Sequence, residues 1–357
     1  MDVGLQMIFS SGGWDDTMTD GQTYREELTL ARMAEDLGFD AIWPVEHHFY
    51  DYSFCPDNLQ LLSYLAGCTS TIGLGTAAII LPWNEPLRVA EKILMLDHVS
   101  GGRARVGFGR GLSRREYGHF RGIAMDEARG RFDEASAMIV EAIETGVMKG
   151  DGPFYPQPET ELRPRPEQSF KGRIYAVANS ADSVDACARI GGRMIMFSET
   201  NWERRMPSVT RHQDMFRELH GFEAPPVMTA DFTFVHPDAS YAKEKAEQWL
   251  AGYLYTLLEH YELMNDHFSE IEGYKGYGKQ AQVLQKIGME GYIKGFLAAN
   301  AYGTPDQILT RLEERKAVLG DFEQCTCFRF GGIPFEEAKA SMELFAKEIL
   351  PVLKSWD

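Results

Sequence analysis

A surplus of positive charge is what this 357-residue sequence most clearly lacks. It has 36 Lys and Arg residues against 53 Asp and Glu residues, which gives a formal net charge of −17 at pH 7. Nucleic acids and anionic membrane surfaces attract proteins through clusters of basic side chains. The charge balance therefore argues against nonspecific binding to either, although a local basic pocket for a phosphate group remains compatible with it.

Long apolar runs and cysteines are also scarce. The sequence has no stretch of about 18 apolar residues, the length that a membrane-spanning helix needs. The segment after Met1 has no basic region followed by an apolar one, as a secretory signal would. The five cysteines are odd in number and scattered, as expected for reduced thiols. We therefore expect a cytoplasmic protein without a membrane anchor.

Strand-like and helix-like segments alternate along the chain. Strands are predicted at residues 3–9, 41–45, 72–81, 104–108, 174–178, 194–197, 227–235 and 325–330, with helices between and after them. This order indicates a parallel sheet with helical crossovers, and roughly eight strands favour a closed TIM (β/α)8 barrel. Because no repeat or low-complexity linker divides the chain, we predict one domain over residues 1–357.

Residues 109–125, 153–171 and 265–296 interrupt this alternation and are predicted insertions in loops. The last segment combines six glycines with Tyr274, Tyr277 and Tyr292. Long irregular segments in compact domains usually form lids or binding loops. We therefore predict a mobile lid at residues 265–296.

Glu46-His47-His48-Phe49 directly follows a predicted strand. In an α/β barrel, side chains at the C-terminal strand ends build the active site, and an imidazole exchanges protons near neutral pH. Glu46, His47 and His48 are therefore catalytic candidates, with a purely structural histidine pair as the alternative. Since adjacent side chains diverge and no H-E-x-x-H spacing exists, we predict no catalytic metal.

A phosphate site is predicted from two further strand ends. Asn179, Ser180 and Ser183 lie at the start of a predicted helix, where free N–H groups and the helix dipole favour an anion. Arg110 lies between two glycines and offers a bidentate guanidinium group. An ordinary helix cap and a surface arginine would explain each feature taken alone.

Together these motifs resemble those of the bacterial luciferase-like, flavin-dependent monooxygenases. The matching segments keep their order and spacing over most of the chain: Phe39-Asp40-Ala41-Ile42-Trp43 with Glu46-His47-His48-Phe49, Gly75-Thr76-Ala77-Ala78-Ile79-Ile80-Leu81-Pro82 with Pro86-Leu87-Arg88, Leu96-Asp97-His98-Val99-Ser100-Gly101-Gly102-Arg103, Gly109-Arg110-Gly111-Leu112, and Gly303-Thr304-Pro305-Asp306-Gln307.

The resemblance implies a TIM barrel, usually dimeric, that uses reduced FMN (FMNH2) supplied by a separate flavin reductase. Oxygen would add to the flavin to form a flavin peroxide, which oxygenates a small organic substrate. By position, His47 corresponds to the catalytic histidine and residues 265–296 to the mobile lid. The flavin-binding positions are Arg110, Leu112, Ser180 and Ser183 for the phosphate, Ala77 and Ala78 for the ring, and Asn179 where luciferase α subunits carry Glu. We expect a homodimer.

Other functions stay open beside this one. Gly109 stands where luciferase α subunits carry a reactive cysteine, so efficient light emission is not expected. An F420-dependent hydride-transfer enzyme on the same barrel is the nearest alternative. A non-catalytic subunit like the luciferase β chain is another, although its motifs are usually eroded. A flavin-free barrel enzyme would need a barrel lysine or paired carboxylates at strand ends, which the sequence does not offer convincingly.

Overall fold

Eight parallel strands close into a barrel in the computed structural model, which describes residues 1–271 and 274–356. The strands of this described part are β1 Val3–Met7, β2 Ala41–Pro44, β3 Gly73–Gly75, β4 Ile79–Ile80, β5 Ala104–Gly109, β6 Val147–Gly150, β7 Gln157–Glu161, β8 Ile174–Val177, β9 Arg193–Phe197, β10 Val227–Phe232, β11 Phe234–Val235, β12 Tyr302–Gly303 and β13 Phe322–Cys327. The barrel order is β3-β2-β1-β13-β10-β9-β8-β5, and β3 pairs with β5 to close it. The predicted TIM barrel is confirmed.

Helices surround the barrel and connect its strands. They are α1 Asp20–Asp36, α2 Asn58–Ala66, α3 Pro86–Ser100, α4 Arg114–Tyr117, α5 Ala128–Thr145, α6 Ala181–Arg189, α7 Met206–His220, α8 Ala239–His260, α9 Lys275–Ala299, α10 Pro305–Leu319, α11 Phe335–Leu344 and α12 Leu350–Lys354. Side-chain oxygens of Thr19, Asp57, Asp238 and Thr304 cap four of them, as their residue types predict. None of the described helices is long and apolar enough to cross a membrane.

Trp43 fills the middle of the barrel and is fully buried. It packs with Tyr175, Ile195, Met228 and neighbouring side chains in a compact interior cluster. A Cβ atom at Gly75 would lie only 2.2 Å from the Trp43 ring. The glycine on the neighbouring strand therefore makes room for the indole, which closes the barrel below the cavity described next.

The predicted continuous strand at residues 72–81 is wrong. Strand β3 ends at Gly75, the Ala77–Ala78 peptide is cis, and pairing with β5 resumes only at β4. The Thr76 hydroxyl occupies the gap, since it accepts from Gly107 N at 2.8 Å and donates to Gly107 O at 2.9 Å. The hydrophobic sequence indicates that this segment is buried, but it does not indicate that backbone pairing with β5 is interrupted between β3 and β4.

The expected irregular loop at residues 265–296 is wrong for most of its length. Helix α9 covers Lys275–Ala299, with a non-helical residue at Gly288 (φ 72°). Glycine-rich sequence disfavours an isolated helix, but tertiary packing supplies most helical stability in proteins. Glu272 and Gly273 lie outside the described residues, and the predicted mobility of the segment stays a prediction.

Candidate active site

A cavity opens at the C-terminal ends of the barrel strands. Most of the residues predicted from the sequence line it, namely Glu46, His47, Ala77, Ala78, Arg110, Leu112, Asn179 and Ser183. His48 and Ser180 do not. One cavity therefore brings together most of the predicted catalytic and phosphate-binding residues. We call its part around His47 the imidazole side and its part around Arg110 and the start of α6 the cation side.

The imidazole side centres on Glu116, which is completely buried in the short helix α4. Its carboxylate lies 3.1 Å from His47 Nδ1 and 3.2 Å from His260 Nε2, and it accepts the backbone N–H of His48 at 2.7 Å. An ionised carboxylate only accepts hydrogen bonds, so both ring nitrogens that face it carry protons. Glu116 thereby leaves the other nitrogen of His47, Nε2, as the basic one.

Electrostatics keep Glu116 ionised. Burial alone would raise the pKa of Glu116, but the positive charge that His47 carries when it is protonated and the hydrogen bonds from His260 and His47 hold this pKa well below its usual range. Burial lowers the pKa of His260, and the Glu116 hydrogen bond offsets this only in part. A fixed negative charge thus lies between two imidazoles, of which one is neutral and buried.

Tyrosine hydroxyls complete the imidazole side. The Tyr261 phenol lies 3.2 Å from His47 Nε2, and the Tyr52 and Tyr253 hydroxyls are 2.8 Å apart. Burial raises the pKa of Tyr52 to about 12 and the pKa of Tyr261 well above its ordinary value, so both phenols stay protonated. The Tyr261 hydroxyl can therefore donate to His47 Nε2, which makes a connected proton path from Tyr261 through His47 to Glu116.

His47, Glu116 and His260 together have the composition of a metal site. Ligand atoms of His47, Glu116 and His260 all lie within 4.8 Å of one another. Two imidazoles and a carboxylate are ligands that suit iron and other transition metals. Spacing along the sequence does not show this grouping, because the three residues lie far apart in the chain. The absence of a catalytic metal stays a prediction.

Glu46 lines the cavity and His48 does not, and the side chains of both are engaged by other residues. Both Glu46 oxygens are engaged, one by Ile80 N at 2.9 Å and one by Asn84 Nδ2 at 3.0 Å, so this carboxylate fastens β4 to the end of β2. The His48 ring packs edge-on against Trp83 and lies 3.3 Å from Glu46. These contacts are those of positioning residues, and no contact tests a catalytic role for either.

The cation side is formed by Arg110, Arg129 and the start of α6. Arg110 is buried after β5, with its guanidinium 3.9 Å from the Tyr274 ring. Arg129 donates to the Asp182 carbonyl in the first turn of α6 at 2.9 Å, and its Nε is buried without a hydrogen-bond partner among the described residues. Burial and then repulsion by Arg110 lower the pKa of Arg129 to about 10. Two cations beside a helix N-terminus are an arrangement that favours an anion, also in an acidic protein.

Ser180 and Ser183 lie on the same helix start. Ser180 is the N-cap of α6, but its hydroxyl makes no capping bond and pairs instead with the Ser183 hydroxyl at 2.8 Å. Asn179 precedes them, and its Oδ1 is buried with no partner in the described structure. The uncapped helix start therefore retains N–H donors that a bound anion could use, whereas Asn179 Oδ1 is an acceptor and would take a donor instead.

Part of the cavity wall consists of small and apolar residues, and we call this part the slot. Ala77, Ala78, Ile80 and Leu112 line it, and Gly109 forms part of its wall. A Cβ atom at Gly109 would lie 2.8 Å from Ile80 Cδ1, so any side chain there would crowd the slot. The small residues at the strand ends leave a surface suited to a flat ring.

Glu116, Arg129, His260 and Tyr261 were missed by sequence reasoning. Glu116 lies among charged residues in Arg114-Arg115-Glu116-Tyr117 and is indistinguishable from an exposed helix residue. Arg129 lies in a helix with further charged residues, and His260 ends a long amphipathic helix. The one available signal was a carboxylate within a few residues of the Gly-Arg-Gly segment.

Comparison with known proteins gives the family. The model of the luciferase-like monooxygenase family matches residues 1–321 of this chain. The chain belongs to this family. The resemblance drawn from its motifs is therefore confirmed.

Relatives of this luciferase-like monooxygenase match it nearly end to end. The alkanal monooxygenase alpha chain of Photorhabdus luminescens is 27% identical over 331 residues, which cover 92% of this chain and 91% of the relative. The crystal structure of monooxygenase RslO1 from Streptomyces bottropensis superposes with a TM-score of 0.80 at 26% identity and covers 99% and 100% of the two chains.

Two more distant structures share the fold. The oxygenating constituent of 3,6-diketocamphane monooxygenase of Pseudomonas putida, in complex with FMN, has a TM-score of 0.71 at 17% identity, with 98% of both chains covered. The coenzyme F420-dependent tetrahydromethanopterin reductase of Methanopyrus kandleri has a TM-score of 0.69 at 19% identity, with 98% and 99% covered. The fold of this luciferase-like monooxygenase is thus also found with two different flavin-type cofactors.

Proposed function

We propose that this chain is an FMNH2-dependent monooxygenase that oxygenates a small organic substrate. The observation that carries the proposal is one cavity whose lining includes the buried Arg110 and Ser183 at the start of α6 together with the carboxylate-oriented imidazole of His47. Reduced FMN, when bound, would supply the electrons that activate O2, so that one oxygen atom enters the substrate and the other leaves as water.

The residues present fit the flavin. Arg110, Arg129, Ser180 and Ser183 would hold its phosphate, since the buried Arg129 Nε and the uncapped helix start leave donors for an anion. The slot of small residues, with Ala77 and Ala78 at its strand end, would receive the ring system. Leu112 and Asn179, which also line the cavity, would contact the cofactor between these two parts.

His47 would carry the proton in this reaction. Its Nδ1–H is fixed by Glu116, so its Nε2 can accept a proton from a reacting group and return it. The phenol of Tyr261 holds Nε2 when no reacting group is present. Glu116 acts through His47 by fixing the tautomer, and Glu46 and His48 act through the backbone positions that they hold.

We also propose that the chain forms a homodimer and obtains reduced flavin from a separate reductase. Helix α3 uses most of its apolar residues within the chain, because Val89, Ile93, Leu94 and Leu96 are buried. Tyr64 on α2 and Met95 and Val99 on α3 remain about half exposed. A second copy of the chain bound at this surface would cover these three side chains. Light scattering on the protein as it elutes from a sizing column would show whether its mass is that of a dimer or of a monomer. The reductase rests on family membership alone.

The experiment that tests the function is an anaerobic fluorescence titration with FMNH2 and, separately, with reduced F420, followed by mixing with oxygen. Binding of FMNH2 and oxygen-dependent product formation from a supplied substrate are expected. Binding of F420 with no response to oxygen would instead favour a hydride-transfer enzyme. Binding of neither would favour a non-catalytic subunit and contradict the proposal.

A further inference from the structure

Two polar side chains lie deep in the cavity with unused hydrogen-bonding atoms. Gln6 on β1 is 4% exposed, and Ser198 at the end of β9 is 2% exposed. Both line the cavity, yet Gln6 Oε1 and Ser198 Oγ have no hydrogen-bond partner within residues 1–271 and 274–356. Buried polar atoms are nearly always paired in folded proteins, so a group absent from the chain itself is expected to pair with these.

Glu199 adds a carboxylate to the same region. It follows Ser198 directly, lines the cavity and forms an ion pair with Arg205 at 3.2 Å. Burial raises the pKa of Glu199, which the charge of Arg205 offsets only in part. Neither the anion site nor the proton path from Tyr261 to Glu116 uses this carboxylate, so it remains available to a substrate.

The rest of this region is apolar and aromatic. The Phe232 ring lies 4.0 Å from the Tyr253 ring and 6.1 Å from the Phe296 ring, measured between centroids. Leu257 and Leu263 extend the same wall. Aromatic walls favour flat ring systems, because ring pairs gain energy beyond the area that they bury.

We propose that the substrate is a flat, largely apolar ring compound with a hydroxyl group, and that Gln6, Ser198 and Glu199 bind that hydroxyl. This inference rests on the proposed monooxygenase function and names the substrate class of the same cavity. Gln6 Oε1 can only accept and would take the hydroxyl hydrogen, whereas the Ser198 hydroxyl can donate to the oxygen of the same group. A linear alkanal has no O–H donor and would leave Gln6 Oε1 unpaired.

The test compares 1-naphthol with 1-methoxynaphthalene, which keeps the ring and the oxygen but lacks the donor. Binding to the FMN-loaded protein is followed by quenching of the naphthalene fluorescence, so that no turnover is needed. We expect 1-naphthol to bind at least about tenfold more tightly, as for a hydrogen bond whose loss leaves a buried acceptor unpaired. Decanal should compete poorly with it.

Two variants test whether Gln6 and Ser198 cause the preference for 1-naphthol over its methyl ether. Gln6→Met removes the amide at similar side-chain length and should bring the two affinities within about twofold. Gln60→Met, on the exposed face of α2, is the matched control and should keep the full preference. Ser198→Ala, a smaller change, gives a second test if Gln6→Met fails to fold, and it should weaken 1-naphthol but not the ether.

Equal affinities of the two compounds for the natural protein would overturn the inference, as would an unchanged preference in both variants. Anaerobic titration with FMNH2 keeps this result separate from the proposed function. Absence of FMNH2 binding to the natural protein would overturn the monooxygenase proposal, whereas intact FMNH2 binding without a preference for the phenol would overturn only the substrate class.

Discussion

The cation side and the imidazole side of the cavity differ in how the chain builds them. On the cation side, Asn179, Ser180 and Ser183 are neighbours in sequence, and their position at a helix start follows from local residue types. On the imidazole side, Glu116 is 69 residues from His47, and Tyr261 is 214 residues from it. The helix start is therefore a local feature, to which the fold adds Arg110 after β5 and Arg129, which is 53 residues from the Asp182 carbonyl that it contacts. The control of a proton at His47 has no such local part, because it depends on Glu116 and Tyr261, which only the closed barrel brings to it.

Replacement of His47 by alanine should have the largest effect, and it should reduce turnover without weakening flavin binding. General acid–base catalysis contributes typically about 10² to 10⁴-fold in rate, so turnover should fall by that factor. Affinity for FMN should stay within about twofold, because His47 is not on the cation side. Stopped-flow turnover and flavin titration of the same preparation measure the two effects.

The matched control for this change is His98→Ala. His98 is an exposed histidine on α3 whose ring nitrogen contacts the Arg165 carbonyl at 2.7 Å, on a surface outside the cavity. Turnover at the natural rate in both alanine variants would show that His47 does not transfer the proton. It would also contradict the difference in function between the imidazole side and the cation side.

Replacement of Arg110 by alanine should give the reverse pattern. Hydrogen bonds to charged groups contribute about 1.5–3 kcal/mol, so affinity for FMN should fall by roughly 10- to 100-fold. Turnover at saturating flavin should change little by comparison. Fluorescence titration measures the affinity, and Arg165→Ala, which removes an exposed arginine paired with Glu161, is the control. Unchanged affinity in the Arg110 variant would show that the phosphate binds elsewhere.

Ser183→Ala should sharpen the position of the phosphate with a smaller effect. A single neutral hydrogen bond contributes about 0.5–1.5 kcal/mol, which corresponds to a roughly 2- to 10-fold loss of affinity. The Ser180 hydroxyl loses its 2.8 Å partner in this variant and can donate to an anion instead, so the loss should lie near the lower limit. The same titration detects it, and a loss as large as that of the Arg110 variant would contradict this assignment.

A change in the pH dependence of stability should be the smallest effect and belongs to the imidazole side. The pKa of His260 is lowered in the folded chain, so the unfolded state takes up a proton first as the pH falls. The stability that neutral His260 provides is present above about pH 6.5, the ordinary value, and is lost as the pH falls toward the folded pKa. His260→Gln should therefore lose less stability than the natural protein between pH 8 and pH 5.5.

Urea unfolding at both pH values measures this difference. Glu27, whose pKa burial raises to about 7, titrates in the same interval but is common to both proteins, so it cancels in the comparison. A steeper loss of stability in the His260 variant would contradict the buried neutral imidazole.

Sequence patterns predicted the barrel because burial and alternation are local signals. They predicted the strand ends that carry His47, Arg110 and Ser183 for the same reason, and the structure places all three at one cavity. They did not predict the break after Gly75, which depends on the hydroxyl of Thr76 replacing a backbone partner. Nor did they predict Glu116, since a buried carboxylate and an exposed one have the same sequence context until the fold pairs it with two imidazoles.

The most direct test of the two-sided cavity is to measure FMNH2 affinity and oxygen-dependent turnover in His47→Ala and Arg110→Ala side by side. The account predicts that the His47 variant keeps its affinity and loses turnover, and that the Arg110 variant loses affinity and keeps turnover at saturating flavin. Loss of both quantities in each variant, with the folded structure intact by circular dichroism, would contradict the separation of flavin binding from proton transfer.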